Sequence, residues 1–126
     1  MIKLIIAGSR EFHSEEAWEL LNKEVDEYIS LLDDKDIEVI SGGARGADSM
    51  GSTYAHNHEY PVKYFTPDWN GLGKKAGMIR NQEMAKYATH CIVFMLKGGS
   101  KGSQNMINNA KKYNLGLKVV CANEKL

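Results

Sequence analysis

The sequence predicts an α/β protein: a three-layer α/β/α sandwich around a mainly parallel five-stranded sheet, formed as one domain over residues 1–126. Three observations lead there. Short apolar runs alternate with segments whose apolar residues recur at helical spacing, the pattern of right-handed βαβ units. Three of those runs end in glycine-bearing turns, where a strand gives way to the next segment. No repeat, linker or low-complexity stretch interrupts the alternation, and the length suits a single core.

Lys3–Ala7 is a short apolar run closed by Gly8, and reads as the first strand. Ser14 opens the first helix: a serine hydroxyl is a favoured cap, and Glu15 and Glu16 occupy the first turn, where the helix dipole favours acids. Trp18, Leu21, Val25, Ile29 and Leu32 follow at offsets of 3, 4, 4 and 3, one apolar face. Asp33–Asp36 is a polar turn before the second strand, Ile37–Ile40, which Ser41-Gly42-Gly43 stops. A second helix is expected from near Gly46-Ala47-Asp48 to about Asn57, and Val62–Phe65 is the third strand. Thr66–Gly73, with Pro67, Asp68 and Trp69, reads as an irregular loop. Lys75–Ala88 is helical, with Ala76, Ile79, Met84 and Tyr87 facing inward. Cys91–Leu96 is the fourth strand, Lys97–Ser103 a glycine-rich loop, and Gln104–Tyr113 a helix with Met106, Ile107 and Ala110 on its apolar face. Leu117–Cys121 is the fifth strand and Ala122–Leu126 a short tail.

Lys and Arg total 16 and Asp and Glu total 16, so the formal charge is zero. That balance argues against a protein that coats nucleic acid, which usually shows a basic domain. It hides an asymmetry, because residues 1–63 hold 6 bases and 13 acids, whereas residues 64–126 hold 10 bases and 3 acids. A local anion pocket is compatible with both facts. No stretch approaches the roughly 18 apolar residues of a membrane span, and the opening Met1–Ile6 is too short for a secretory signal. The chain is therefore expected to be soluble and cytoplasmic. Cys91 and Cys121 sit in apolar runs and read as two buried small hydrophobes.

In an open parallel sheet, ligands bind beyond the carboxyl ends of the strands. The unusual residues of this sequence fall at those ends: Gly8-Ser9-Arg10, then Gly42-Gly43-Ala44-Arg45-Gly46-Ala47-Asp48, then Gly98-Gly99-Ser100-Lys101-Gly102-Ser103. Glycines let backbone approach a ligand without a Cβ in the way, and a helix opening behind them presents unpaired N–H groups to an anion. Arg45 is expected to add a bidentate phosphate clamp. Asp48 has three readings: a helix cap, a partner for Arg45, or an acceptor for a ribose hydroxyl. Trp69 reads as a stacking surface or a loop anchor. Lys74 and Lys75 lie at a helix start, where the dipole disfavours cations, which points to an anion nearby. Arg80 and Asn81 are expected to reach the cleft. Neither glycine loop is a Walker A sequence or a G-x-G-x-x-G fingerprint. The histidines lack ligand spacing, so neither a metal site nor a cofactor is expected.

The ordered set Gly8-Ser9-Arg10, Ser41–Asp48, Asp68-Trp69 with Gly73–Gly77 and Arg80-Asn81, and Gly98–Ser103 with Met106-Ile107 resembles the SLOG superfamily, in particular its DUF2493 (YspA-like) members. The resemblance implies a Rossmann-like sheet and a pocket for a nucleotide or nucleotide-derived small molecule, sensed, carried or sequestered. Superfamily relatives include LOG-type phosphoribohydrolases, the DNA-processing protein DprA, and sensor domains for signals like cyclic ADP-ribose. LOG-type enzymes carry Pro-Gly-Gly-x-Gly-Thr-x-x-Glu with a catalytic glutamate. Here the loop is one residue longer, Ser103 takes the threonine position and Met106 falls where the glutamate would stand. Methionine transfers no proton, so glycosidic cleavage would need Asp48 or Asp68 to supply the carboxylate. Relatives pair as dimers or higher oligomers, for which Trp18 or Tyr28 would offer a surface. Single-stranded nucleic-acid binding of the DprA kind fits least, given the zero net charge and few aromatics.

Overall fold

The computed structural model describes residues 1–122; the expected tail beyond Ala122 lies outside the described residues. Five strands form one all-parallel sheet: β1 (Ile2–Gly8), β2 (Ile37–Ser41), β3 (Val62–Tyr64), β4 (His90–Leu96) and β5 (Gly116–Ala122), in the order β3-β2-β1-β4-β5. The order reverses beside β1, whose Ile5 pairs with Ile40 of β2 on one edge and Cys91 of β4 on the other. That reversal opens a crevice at the carboxyl ends of β1 and β4.

Helices cover both faces. Helices α1 (Glu15–Ser30) and α2 (Ala47–Asn57) pack on one side through Ala17, Leu21, Val25, Ile29, Tyr54 and Ala55, against Leu4, Ile6, Val39, Ile92 and Phe94 of the sheet. Ser14 caps α1, its Oγ accepting from the Ala17 N–H at 3.1 Å. Tyr54 joins the two helices by donating its hydroxyl to Asp26 Oδ1 at 2.5 Å. On the other side α4 (Ala76–Tyr87) and α5 (Lys101–Lys112) bury Met84, Met106, Ile107 and Ala110 against Ile5, Ala7, Ile40 and Val93. Alternation along β1 sends Leu4 and Ile6 to one core and Ile5 and Ala7 to the other.

Several local expectations change. Within the expected loop at 66–73, Trp69–Leu72 forms a short helix α3, because Asp68 Oδ1 accepts from the Gly71 N–H at 2.8 Å. A 3₁₀ turn at Gly73–Lys75 then leads into α4. Helix α5 starts at Lys101, three residues before the expected Gln104, since Ser100 caps it, its Oγ accepting from the Ser103 N–H. On α4, Ile79 and Tyr87 are half-buried, while Asn81 and Ala85 are buried. Cys91 is buried, with its thiol pushed up to about 12 chiefly by burial, but Cys121 is exposed on the edge strand β5. Trp18 and Tyr28 are half-buried against the α1 side of the core, and Tyr28 donates its hydroxyl to the Gly116 carbonyl at 2.7 Å.

Candidate functional site

A cavity of about 390 Å³ lies at the crevice between β1 and β4. The turn after β1 supplies Gly8, Ser9, Arg10 and Glu11, and the turn after β2, with the start of α2, supplies Ala44 and Asp48. Helix α4 contributes Arg80, Asn81 and Met84, and the start of α5 contributes Gly99, Ser100, Gly102, Ser103 and Met106. Four segments far apart in sequence therefore meet at the end of the two central strands.

The turn after β2 is shaped by internal contacts. Gly46, at φ +80°, lies where a Cβ would collide with the backbone of Ser9 and Arg10, and the Ala47 N–H donates to the Ser9 carbonyl at 3.2 Å. Ser41, fully buried, accepts from the Gly43 N–H at 3.1 Å and donates to the Asp48 carbonyl at 3.3 Å. Arg80 reaches across from α4, its Nη1 donating to the Gly42 carbonyl at 2.7 Å and its Nε to Asn81 Oδ1 at 3.0 Å. A side chain at Gly42 would overlap both the Arg80 guanidinium and the Asp48 carboxylate.

Asp48 is 6% exposed, the one buried carboxylate among the described residues. Burial pushes its pKa up to about 6, against the opposing pull of the Arg80 charge and of the Ala44, Gly42 and Gly8 N–H groups that face it. The amides of the glycine turn thus serve the protein's own carboxylate. Arg80 is shifted the opposite way: burial lowers its pKa, and Asp48 partly restores it.

The start of α5 makes the facing wall. Ser100 Oγ accepts from the Ser103 N–H at 3.1 Å and donates to Ser103 Oγ at 2.9 Å. Asn81 fixes this turn to α4 by donating through Nδ2 to the Gly102 carbonyl at 3.3 Å and to Asn105 Oδ1 at 3.0 Å.

A second cavity of about 230 Å³ adjoins the first, lined by Arg10, Gly42, Gly43, Ala44, Thr66, Pro67, Trp69 and Arg80. Arg45 faces neither cavity. It lines an open groove along α2 with Ser49, Ser52, Thr53, His56 and Tyr64, and its Nη2 pairs with Glu11 Oε1 at 3.0 Å while remaining 73% exposed. Lys74, Gly98 and Lys101 are exposed and line neither cavity, and Asp68 is occupied as the cap of α3. The structure thus gathers Gly8, Ser9, Arg10, Ala44, Asp48, Arg80, Asn81, Gly99, Ser100, Gly102 and Ser103 around the larger cavity, and Gly42, Gly43 and Trp69 around the smaller.

Sequence reasoning missed Ala7, Glu11 and Met84 at the larger cavity and Thr66 and Pro67 at the smaller. Met84 read as core and is buried; the available signal was its place on α4, whose Arg80 and Asn81 reach the same cavity. Among the described residues no cluster of three or more His, Cys, Asp or Glu could hold a metal ion, and no helix is long and apolar enough to cross a membrane.

Fold and cavity define a Rossmann-like α/β protein with an open crevice at the reversal of strand order. The chain belongs to the YspA, cpYpsA-related SLOG family, whose model matches residues 2–71. It is also similar to the Gene 61 protein of Mycobacterium phage D29, 34% identical over 119 residues that span 89% of this chain and 90% of that protein.

Proposed function

We propose that the protein binds a nucleotide or nucleotide-derived phosphate ligand in the cavity between β1 and β4. The observation that carries this reading is the convergence of Arg10 and Arg80 with the serine-capped start of α5 around one polar cavity. Helix starts and guanidinium groups both favour anions, and a cavity of this size suits a small molecule rather than a nucleic-acid strand. Family membership supports the same class of ligand.

Arg10 lines the cavity without a hydrogen-bonding or ion-pair partner for its guanidinium among the described residues, so it is available to a ligand. Arg45 is paired on the rim. Arg10→Ala is therefore expected to weaken a phosphate-bearing ligand by roughly tenfold or more, as loss of a charge-assisted hydrogen bond does. Arg45→Ala is expected to cost no more than about threefold, as an exposed pair would. Calorimetry with nucleoside monophosphates and diphosphates measures both. A tenfold loss at Arg45 with none at Arg10 would move the site to the α2 groove. Mass spectrometry of small molecules released on denaturation would identify a carried ligand.

A second reading, hydrolysis of a nucleotide N-glycosidic bond, is favoured by the position of Asp48 at the cavity and its raised pKa. Met106 stands at the same cavity and supplies no carboxylate there. Release of free base from a nucleoside monophosphate, abolished in Asp48→Asn, would establish this activity; recovery of intact nucleotide supports binding alone.

A further inference from the structure

A buried acid stands on the wall of the larger cavity. Asp48 lines it, and the N–H groups of Gly8, Gly42 and Ala44 face its carboxylate. Because those N–H groups serve the protein's own acid, an anion entering the cavity depends on what is left. That is the guanidinium of Arg10, the Nη2 of Arg80 and the hydroxyl of Ser103. Ser103 is buried, and its Oγ accepts from Ser100, which leaves its own proton uncommitted among the described residues.

Each element around Asp48 brings a different charge to it. From α4 comes Arg80, whose charge favours the ionised carboxylate. A Cβ at Gly42 would stand 2.4 Å from Arg80 Nη1 and 2.8 Å from Asp48 Oδ2, so the two groups flank one point. They nevertheless form no direct ion pair among the described residues. The turn after β1 adds Arg10, while Glu11 from the same turn is exposed and pairs with Arg45 on the rim. On β4, Cys91 feels the Asp48 charge, but its thiol is pushed up to about 12 and stays protonated at neutral pH. Ser41 of β2 and the start of α5 contribute hydroxyls without charge. Asp48 is thus the buried acid that an anion in this cavity meets.

Two negative charges that share a cavity walled by protein repel each other more strongly than they would in water. One proton removes the conflict, because it neutralises Asp48 and leaves Arg10 and Arg80 to the ligand. Building on the nucleotide-pocket reading, we propose that Asp48 couples binding to protonation, taking up one proton from solvent as a phosphate-bearing ligand enters the cavity. Ligand and proton then strengthen each other's binding by the same factor. Since the empty site holds this proton with a pKa of about 6, affinity is highest below that value. It falls as pH rises through about 6 and levels off where Asp48 is ionised even in the complex. The residue therefore sets how much negative charge the pocket accepts at a given pH.

Calorimetry of AMP and GMP binding, in buffers of different ionisation enthalpy, counts the protons taken up by wild type and by Asp48→Asn. The phosphate's own proton is common to both proteins, so the difference between them reports Asp48. At about pH 7 wild type should take up more protons than the variant, approaching one per ligand. Between about pH 5 and pH 8 its affinity should fall roughly tenfold or more relative to the variant, which binds more tightly at the alkaline end. Matching proton counts and parallel pH profiles in two folded proteins would overturn the coupling and leave the nucleotide pocket standing. So would a variant that binds no more tightly than wild type at about pH 8. If Asp48→Asn does not fold, NMR of the Asp48 carboxyl carbon in wild type decides. Its titration midpoint should rise by about one pH unit or more with saturating AMP, and an unmoved midpoint overturns the proposal. Failure of AMP and GMP to bind at any pH would remove the nucleotide reading itself, and this proposal with it.

Discussion

Asp48 is where the energetics of the site are most concentrated. A carboxyl whose folded pKa is about 6, against 3.8 for a free aspartate, binds its proton more tightly in the folded chain than in the unfolded one. Its contribution to stability is therefore fully present below pH 3.8 and is lost as pH rises through about 6. The shift corresponds to something on the order of 3 kcal/mol between those limits. In urea titrations, wild-type stability relative to Asp48→Asn should fall between about pH 4 and pH 7 and then level off. A parallel pH dependence for the two proteins would show that Asp48 titrates normally. The sequence marked Asp48 for the site but did not show its neighbours. It offered Arg45, three residues away, as one of three readings; the arginine whose charge acts on Asp48 is Arg80, 32 residues on. Pairings at that distance depend on which helices lie side by side, and that is not written in local spacing.

At the scale of the element, periodicity carried the main helices and all five strands, with boundaries shifted where a cap intervened. Asp68 and Ser100 each satisfy N–H groups that glycine-rich sequence would otherwise leave to water, so helix begins where loop was expected. Helix α2 shows the opposite case, a glycine inside a helix. Gly51 faces β1, and a Cβ there would come within 2.8 Å of Ile6 Cβ and Cγ2. Alanine normally gains about 1 kcal/mol over glycine in a helix, but overpacking a core costs about 1–3 kcal/mol. Because Ile6 is itself fully buried and cannot swing aside, Gly51→Ala should lower stability by about 1 kcal/mol or more. Thermal or urea unfolding measures this, and a stabilised variant would mean that α2 moves off the sheet freely.

Over the whole molecule, the asymmetry of charge along the chain becomes an asymmetry between faces. Helix α1 carries Glu15, Glu16, Glu19, Glu24, Asp26 and Glu27 against Lys23, whereas α4 and α5, on the far side of the sheet, carry Arg80, Lys86, Lys101, Lys111 and Lys112 against Glu83. The helices of the two halves thus lie on opposite faces of the sheet, an arrangement that composition alone does not reveal. With a pI near 6.9, molecules at neutral pH have no net repulsion and present complementary faces. Light scattering at pH 7 should show attractive interactions at about 0.01 M salt that disappear at about 0.3 M, where the screening length is far shorter. Attraction that persists or grows with salt would indicate apolar contacts instead.

The central place of β1 also has a consequence in time. The chain makes β1 first, yet its Leu4 waits for His90 before that edge of the strand is paired. Contacts between segments so far apart in sequence are closed slowly, because the intervening chain loses its freedom before the pairing repays it. Residues 2–71, the part that the family model matches, are synthesised with Ser9, Arg10, Ala44 and Asp48 in hand but without the α4 and α5 wall. The crevice is completed only when β4 docks beside β1, so a ligand held across it would select the finished fold over every earlier stage.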